Sequence, residues 1–220
     1  MNDIYIYGSG GLGRGVLELI ENINTQKELW NIKGFLDDNE SVWGAEINDQ
    51  VVLGNYEYLA ERGGSAVVIA IADPGVKMKL VSTLKETCDV SFPNIIHPSV
   101  SLSRHNIVGE GNILSQGATL SVNIRLGNFN LLHLNCSIGH DARIENYVAV
   151  YPNASVAGYA ILNNSVEIGS NASVIQKVNV GEGAIIGAGS VVIKDIPKSC
   201  TAVGVPAKPV KFHQTKGLTR

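Results

Sequence analysis

Cysteine is scarce in this chain: Cys88, Cys136 and Cys200 are odd in number and set far apart. That pattern offers no disulfide framework and suits a reducing compartment. Aromatic residues are only 6% of the 220, so any core is slim and mostly aliphatic. An excess of charge is missing as well. The 17 Lys and Arg against 20 Asp and Glu give a formal net charge of -3, which argues against a general nucleic-acid binder. No apolar run approaches the roughly 18 residues needed to cross a bilayer. The opening MNDIYIYGSGG has neither the basic region nor the apolar stretch of a signal peptide. A soluble, cytoplasmic protein with no nucleic-acid or membrane partner is the expectation. Glycine, by contrast, is abundant at 24 residues, which points to many tight turns.

Two periods divide the sequence. Over residues 1–95 short β runs alternate with helical spacing. DIYIYG is followed by GRGVLELIENINT, with Val16, Leu17, Leu19, Ile20 and Ile23 on one helical face, then by IKGFLDD, SAVVIAIAD and GVKMKLVSTLKETC. This alternation predicts a small Rossmann-like α/β domain with a parallel sheet. From residue 96 the period becomes six as far as Val192, and the second domain, 96–220, closes with a C-terminal tail. Ile96, Leu102, Val108, Leu114, Leu120, Leu126 and so on to Val192 are all Leu, Ile or Val at every sixth position. Four places further on, small residues recur, among them Ala118, Cys136, Ala142, Ala154, Ala160, Ala172 and Ala184. A repeat this short fits a parallel β-helix in which three hexads close one triangular coil. The hexad form of that fold is left-handed, against the usual crossover rule. With no break in register, no large loop should protrude from its middle.

Two motifs carry chemistry. Gly8-Ser9-Gly10-Gly11-Leu12-Gly13 satisfies G-x-G-x-x-G between a strand and a helix, a place where backbone approaches a phosphate. Asp37 and Asp38, ending the next strand, are placed to accept hydrogen bonds from a ribose or a base. NAD is the ordinary reading of that fingerprint, but the chain has no room for a hydride-transfer substrate domain; a purely structural loop is the bland alternative. The second motif is IGHDARI, in which His140 follows inward-pointing Ile138 and precedes Asp141. A histidine is a competent base near neutrality, and a neighbouring carboxylate fixes its tautomer. The plain alternative is a solvated corner with an Asx-type turn at Asp141. One coil being eighteen residues, Gly158 should stack on His140, either as a close-approach glycine or as a turn glycine chosen for its φ.

The hexads, the GVPAKPV that follows them (204–210), and the N-terminal YIYGSGGLGRGVLELI with GFLDDN resemble the hexapeptide-repeat sugar acetyltransferases of the sialic acid O-acetyltransferase type, NeuD- or PglD-like. The resemblance implies a homotrimer, acetyl-CoA as co-substrate in a groove between adjacent β-helices, and a nucleotide-linked sugar held largely by the N-terminal domain. It implies His140 as general base, Asp141 as its orienting partner, and the Gly158 N–H as a donor to the tetrahedral oxyanion. Ser170 and Ala188, at matching places on later coils, would offer backbone groups to the pantetheine arm. Gly8, Ser9, Gly10 and Gly11 would lie near the substrate phosphates, with Asp37 and Asp38 near the nucleoside. His133 stands where several aminosugar enzymes of the family have asparagine, so it either touches the acceptor or replaces a polar side chain outside a strand. Ala149 replaces a second histidine found in some members; both departures bear on amine versus hydroxyl acceptors.

Other readings stay open here. One is an O-acetyltransferase of a free or lipid-linked sugar such as sialic acid; another is a non-catalytic binding scaffold. A γ-type carbonic anhydrase would pair histidines five apart, whereas His133 and His140 are seven apart, so no metal is expected. His97 and His105, on the first coils, read as structural. Cys136, at a small inward corner, reads as core rather than as a nucleophile.

Overall fold

The structure, a computed structural model, describes residues 1–213. Contacts divide the described residues into two units: 1–98 with 110–113, and 99–109 with 114–213.

The first unit is built on a parallel sheet. Strand β1 (Asn2–Tyr7) is followed by helix α1 (Gly11–Gln26) and strand β2 (Trp30–Leu36). Further strands at Ser65–Ile69 and Val90–Ser91 flank the helix Pro74–Thr87. β1 lies between β2 and the strand Ser65–Ile69, both parallel to it. The face of α1 that helical spacing selects, Val16, Leu17, Leu19, Ile20 and Ile23, is buried. The chain leaves β1 to one side first and reaches its other side later. In an open parallel sheet that reversal leaves a crevice beyond the carboxyl ends of the strands, where ligands bind. The loop after β1 occupies it.

The second unit is a left-handed parallel β-helix of two-residue strands. Its first face includes Leu131–Leu132, Ala149–Val150, Glu167–Ile168 and Ile185–Ile186. The second runs from Thr119–Leu120 through Ser137–Ile138, Ser155–Val156 and Ser173–Val174 to Val191–Val192. The third stacks Ile107–Val108, Arg125–Leu126, Arg143–Ile144, Ile161–Leu162 and Asn179–Val180. Each strand pairs in parallel with the one eighteen residues on, as Leu126 does with Ile144. Every six-step aliphatic from Leu126 to Val192 is at most 2% exposed. The small residues of the repeat, Cys136 and Ala142 among them, are equally buried at the corners.

The series opens less regularly than the six-step count predicts. Leu102 lies in no strand and is 36% exposed, because the opening stretch has no earlier coil of the solenoid to stack on. At the corners one residue per turn is left-handed. Asn123, Asp141, Tyr159 and Lys177 form one such column at φ 58–63°, and Asn135, Asn153 and Asn171 another at 56–59°. Asn and Asp tolerate that region best. At the third corner Asn128, Asn146 and Asn164 form a ladder, the carboxamide oxygens of Asn146 and Asn164 each accepting the backbone N–H and the side-chain NH2 of the asparagine one coil below. A hairpin, Cys200–Gly204 with Ala207–Phe212, pairs onto Ile185–Ile186 and covers part of that edge.

Candidate active site

His140 and Asp141 occupy the corner between the second and third faces. The His140 ring is about half exposed, and its Nδ1 lies 2.9 Å from Asp141 Oδ2. A carboxylate only accepts, so Nδ1 carries the proton and Nε2 presents a bare lone pair. Two further side chains hold the pair. Asn123, one coil below, donates from Nδ2 to Asp141 Oδ1 at 3.1 Å. Tyr159, one coil above, meets the imidazole edge-on, with centroids 5.1 Å apart and planes at 90°. The donors of His140 first, then Asn123, hold the Asp141 carboxyl below the usual carboxylate range. Asn123 and Tyr159 were not singled out from sequence. The signal was present, since both lie eighteen residues from Asp141 and stack on it.

Gly158 stacks on His140 as the eighteen-residue coil predicts. Its φ is not in the left-handed region, so the turn-glycine explanation fails. A Cβ at Gly158 would instead lie 2.8 Å from His140 Cε1 and Nε2. The imidazole lies over the bare Cα, and any side chain there would displace it. Gly139 is needed for a related reason: a Cβ would fall 2.4 Å from Gly158 N in the coil above.

Ser170 and Ala188 stack on one another at the corner between the first and second faces. They are therefore not in the His140–Gly158 column of the same chain, and the matching-place expectation is corrected: their offsets from His140 are not multiples of eighteen. At both corners the second residue's amide finds no backbone acceptor among the described residues, Gly158, Ser170 and Ala188 included. His133 shares the Ser170 corner. The Leu134 N–H donates to its Nδ1 at 2.8 Å, which leaves the neutral ring's proton on Nε2, and burial holds its pKa below the ordinary histidine value. Cys136 is fully buried and its thiol is pushed up to about 12 by that burial, the opposite of an activated nucleophile.

In the N-terminal unit the glycines divide into two kinds. Gly8 has φ +107°, and a Cβ there would lie 2.7 Å from Ala70 O; at Gly13 it would lie 1.9 Å from Gly8 O. These two permit the turn and the close approach of α1. Gly10 faces open space, and only the tip of Arg14, 4.0 Å away, stands near Gly11. Gly10 caps α1 without any side-chain hydrogen bond, so the helix start is uncovered. The aspartates already hold the loop. Asp37 Oδ2 accepts from Ser9 N and Ser9 Oγ at 2.9 and 2.6 Å, and its Oδ1 accepts from Asn39 N at 3.0 Å. Burial raises the Asp37 pKa, but those three donors outweigh it and the net shift is downward. Asp38 Oδ1 accepts from the Tyr7 hydroxyl.

Residues 3–84 match the model of the PglD N-terminal domain. The whole chain is similar to a histidine-to-asparagine variant of perosamine N-acetyltransferase from Caulobacter crescentus in complex with CoA and GDP-perosamine. Identity is 26%, the TM-score is 0.87, and 95% of this chain and 97% of that one are covered. WeeI from Acinetobacter baumannii matches at 28% identity and TM-score 0.83, over 96% and 100% of the two chains. The acetyltransferase domain of PglB from Neisseria gonorrhoeae shares the fold at 24% identity and TM-score 0.84, over 96% and 100%. No curated protein sequence matches the chain. A PglD-type N-terminal domain is thus joined to a hexad β-helix, and the chain is similar over nearly its full length to a solved perosamine N-acetyltransferase of that build.

Proposed function

We infer that the protein is a cytoplasmic enzyme that transfers the acetyl group of acetyl-CoA directly to a nucleotide-linked amino sugar or a related polysaccharide precursor. The observation that carries this reading is the His140–Asp141 pair, with a bare Nε2 set over Gly158. The acceptor nitrogen attacks the thioester carbon while Nε2 takes its proton. Asp141, ionised and tied by Asn123, stabilises the imidazolium as it forms. The negative charge developing on the thioester oxygen is met by the Gly158 N–H. Collapse expels the CoA thiolate, which recovers the proton from His140. Likeness to an N-acetyltransferase of a GDP-linked amino sugar supports an amine acceptor; a PglB domain in complex with acetyl coenzyme A supports the donor.

One chain supplies two half-sites on different corners: His140 with Gly158, and His133 with Ser170 and Ala188. A second copy facing the first corner with its second would complete a groove, which is the physical argument for a homotrimer. In the N-terminal unit the uncovered start of α1, with Gly10 and Gly11 open, receives the nucleotide. Asp37 and Asp38 act there mainly by shaping the loop through Ser9 and Tyr7.

A thiol-release assay across nucleotide-linked amino sugars and their hydroxyl analogues tests the activity and separates amine from hydroxyl acceptors. His140→Ala should lower turnover by at least about a hundredfold while acetyl-CoA binding and sedimentation stay unchanged. Near-normal turnover in that variant removes the base assignment. A scaffold without catalysis would release no thiol with any acceptor.

A further inference from the structure

The third face carries a feature that proton removal does not use. Arg125 and Arg143 stand in register on neighbouring coils and are exposed. The strand spacing sets their backbones about 4.8 Å apart, and like charges so close repel unless neutralised. The other outward residues of this face are Ile107, Ile161 and Asn179, none acidic. No described carboxylate pairs with either guanidinium. The pair lines a groove of about 600 Å³ that also takes in Asp141 and Tyr159, so the groove adjoins the dyad. Asp141, the one acid in its wall, has its oxygens engaged by His140 and Asn123. A volume of that order is typical of small-ligand sites.

We propose that Arg125 and Arg143 form an anion subsite, which holds a phosphate or carboxylate of the acceptor sugar beside His140. The proposal rests on the acetyltransferase reading. Arg143 is three residues from His140, so their Cα atoms lie within about 11 Å of each other. A sugar ring with its anionic substituent spans that gap. In acetyl-CoA the whole pantetheine arm separates the thioester from the nearest phosphate, so the charge met here is the acceptor's. Two guanidinium forks suit a planar or tetrahedral oxyanion in a way that two ammonium groups do not.

The test compares wild type, His140→Ala, the single changes Arg125→Met and Arg143→Lys, and the double variant R125M/R143M. Calorimetric titration with inorganic pyrophosphate and, separately, with glucuronate reads the site without turnover and decides between phosphate and carboxylate. Wild type and His140→Ala should bind one of the two alike, and the double variant at least about tenfold more weakly, with Arg143→Lys between. In the thiol-release assay the double variant should raise the acceptor KM by a similar factor and leave the acetyl-CoA KM in place. A rise confined to the acetyl-CoA KM overturns the proposal, because the anion is then CoA's. So does unchanged binding of both probes, or a loss of assembly as the only effect, which would make the pair a contact between copies. If wild type acetylates no acceptor while pyrophosphate binding still needs both arginines, the acetyltransferase reading fails and the acceptor assignment with it.

Discussion

His140 is set less by its own position than by three neighbours on other coils or beside it. Gly158 is the sharpest case. Sequence offered a φ requirement or a close approach for it, and the structure favours the second: the atoms that approach belong to the imidazole. Gly158→Ala should therefore leave the solenoid folded but displace the ring, lowering kcat by about a hundredfold; kinetics and the His140 ring resonances check this together. Asn123 is the second case. With donors from His140 and Asn123, Asp141 has a depressed pKa, so its contribution is present above the unfolded carboxylate value and is lost as pH falls through the lower folded value. Asn123→Ala should move the Asp141 carboxyl titration upward, visible in its 13C shift, and reduce turnover several-fold. An unmoved titration would detach Asn123 from the dyad. Sequence showed the His–Asp pair because the two are adjacent. Asn123 and Tyr159 stayed hidden because their adjacency exists only once the coil length is applied to corner residues as well as to core ones.

Elements in the two units were legible to different degrees. The solenoid strands could be read one by one because each hexad must turn one aliphatic inward, and a violation would leave a gap in a narrow core. The first coils escaped that rule, as exposed Leu102 shows. The asparagine ladder at the third corner was not read at all, since asparagine at a turn signals only the turn. Its side chains in fact bridge coils: Asn146 Oδ1 accepts from Asn128 N and Nδ2 at 2.9 Å each. Asn146→Ala strips both acceptor contacts and should cost about 1–3 kcal/mol, measured by denaturant unfolding, with kcat unaffected. In the first unit the glycine motif was legible as a loop, but the packing role of Gly8 depended on Ala70, far away in sequence at the end of the neighbouring strand. Asp37 and Asp38 were read as ligand contacts because nothing in the sequence announces that Ser9 and Tyr7 take them first.

Across the β-helix as a whole, the stride of eighteen is the fact from which the rest follows. It makes a clean prediction. Deleting residues 145–162 removes one full coil, so the remaining coils regain their register. That variant should melt cooperatively at a lower Tm, since one coil interface is lost, yet have no activity, because Gln176 replaces Gly158 above His140. Deleting one residue at the same place should prevent folding. Scanning calorimetry distinguishes the two. The stride also explains the correction to Ser170 and Ala188, which keep step with each other but not with His140. Among the described residues no helix is long and apolar enough to cross a membrane.

The open amides at Gly158, Ser170 and Ala188 have a further bearing on how such a protein diversifies. Donors belonging to the main chain survive nearly any surface substitution, so under the proposed function a carbonyl-rich arm would go on being gripped while side chains drift. Residues 125, 133, 143 and 159, by contrast, present exchangeable groups. Under the same reading, selection would retune them for a new sugar without dismantling the half of the machine that handles the thioester.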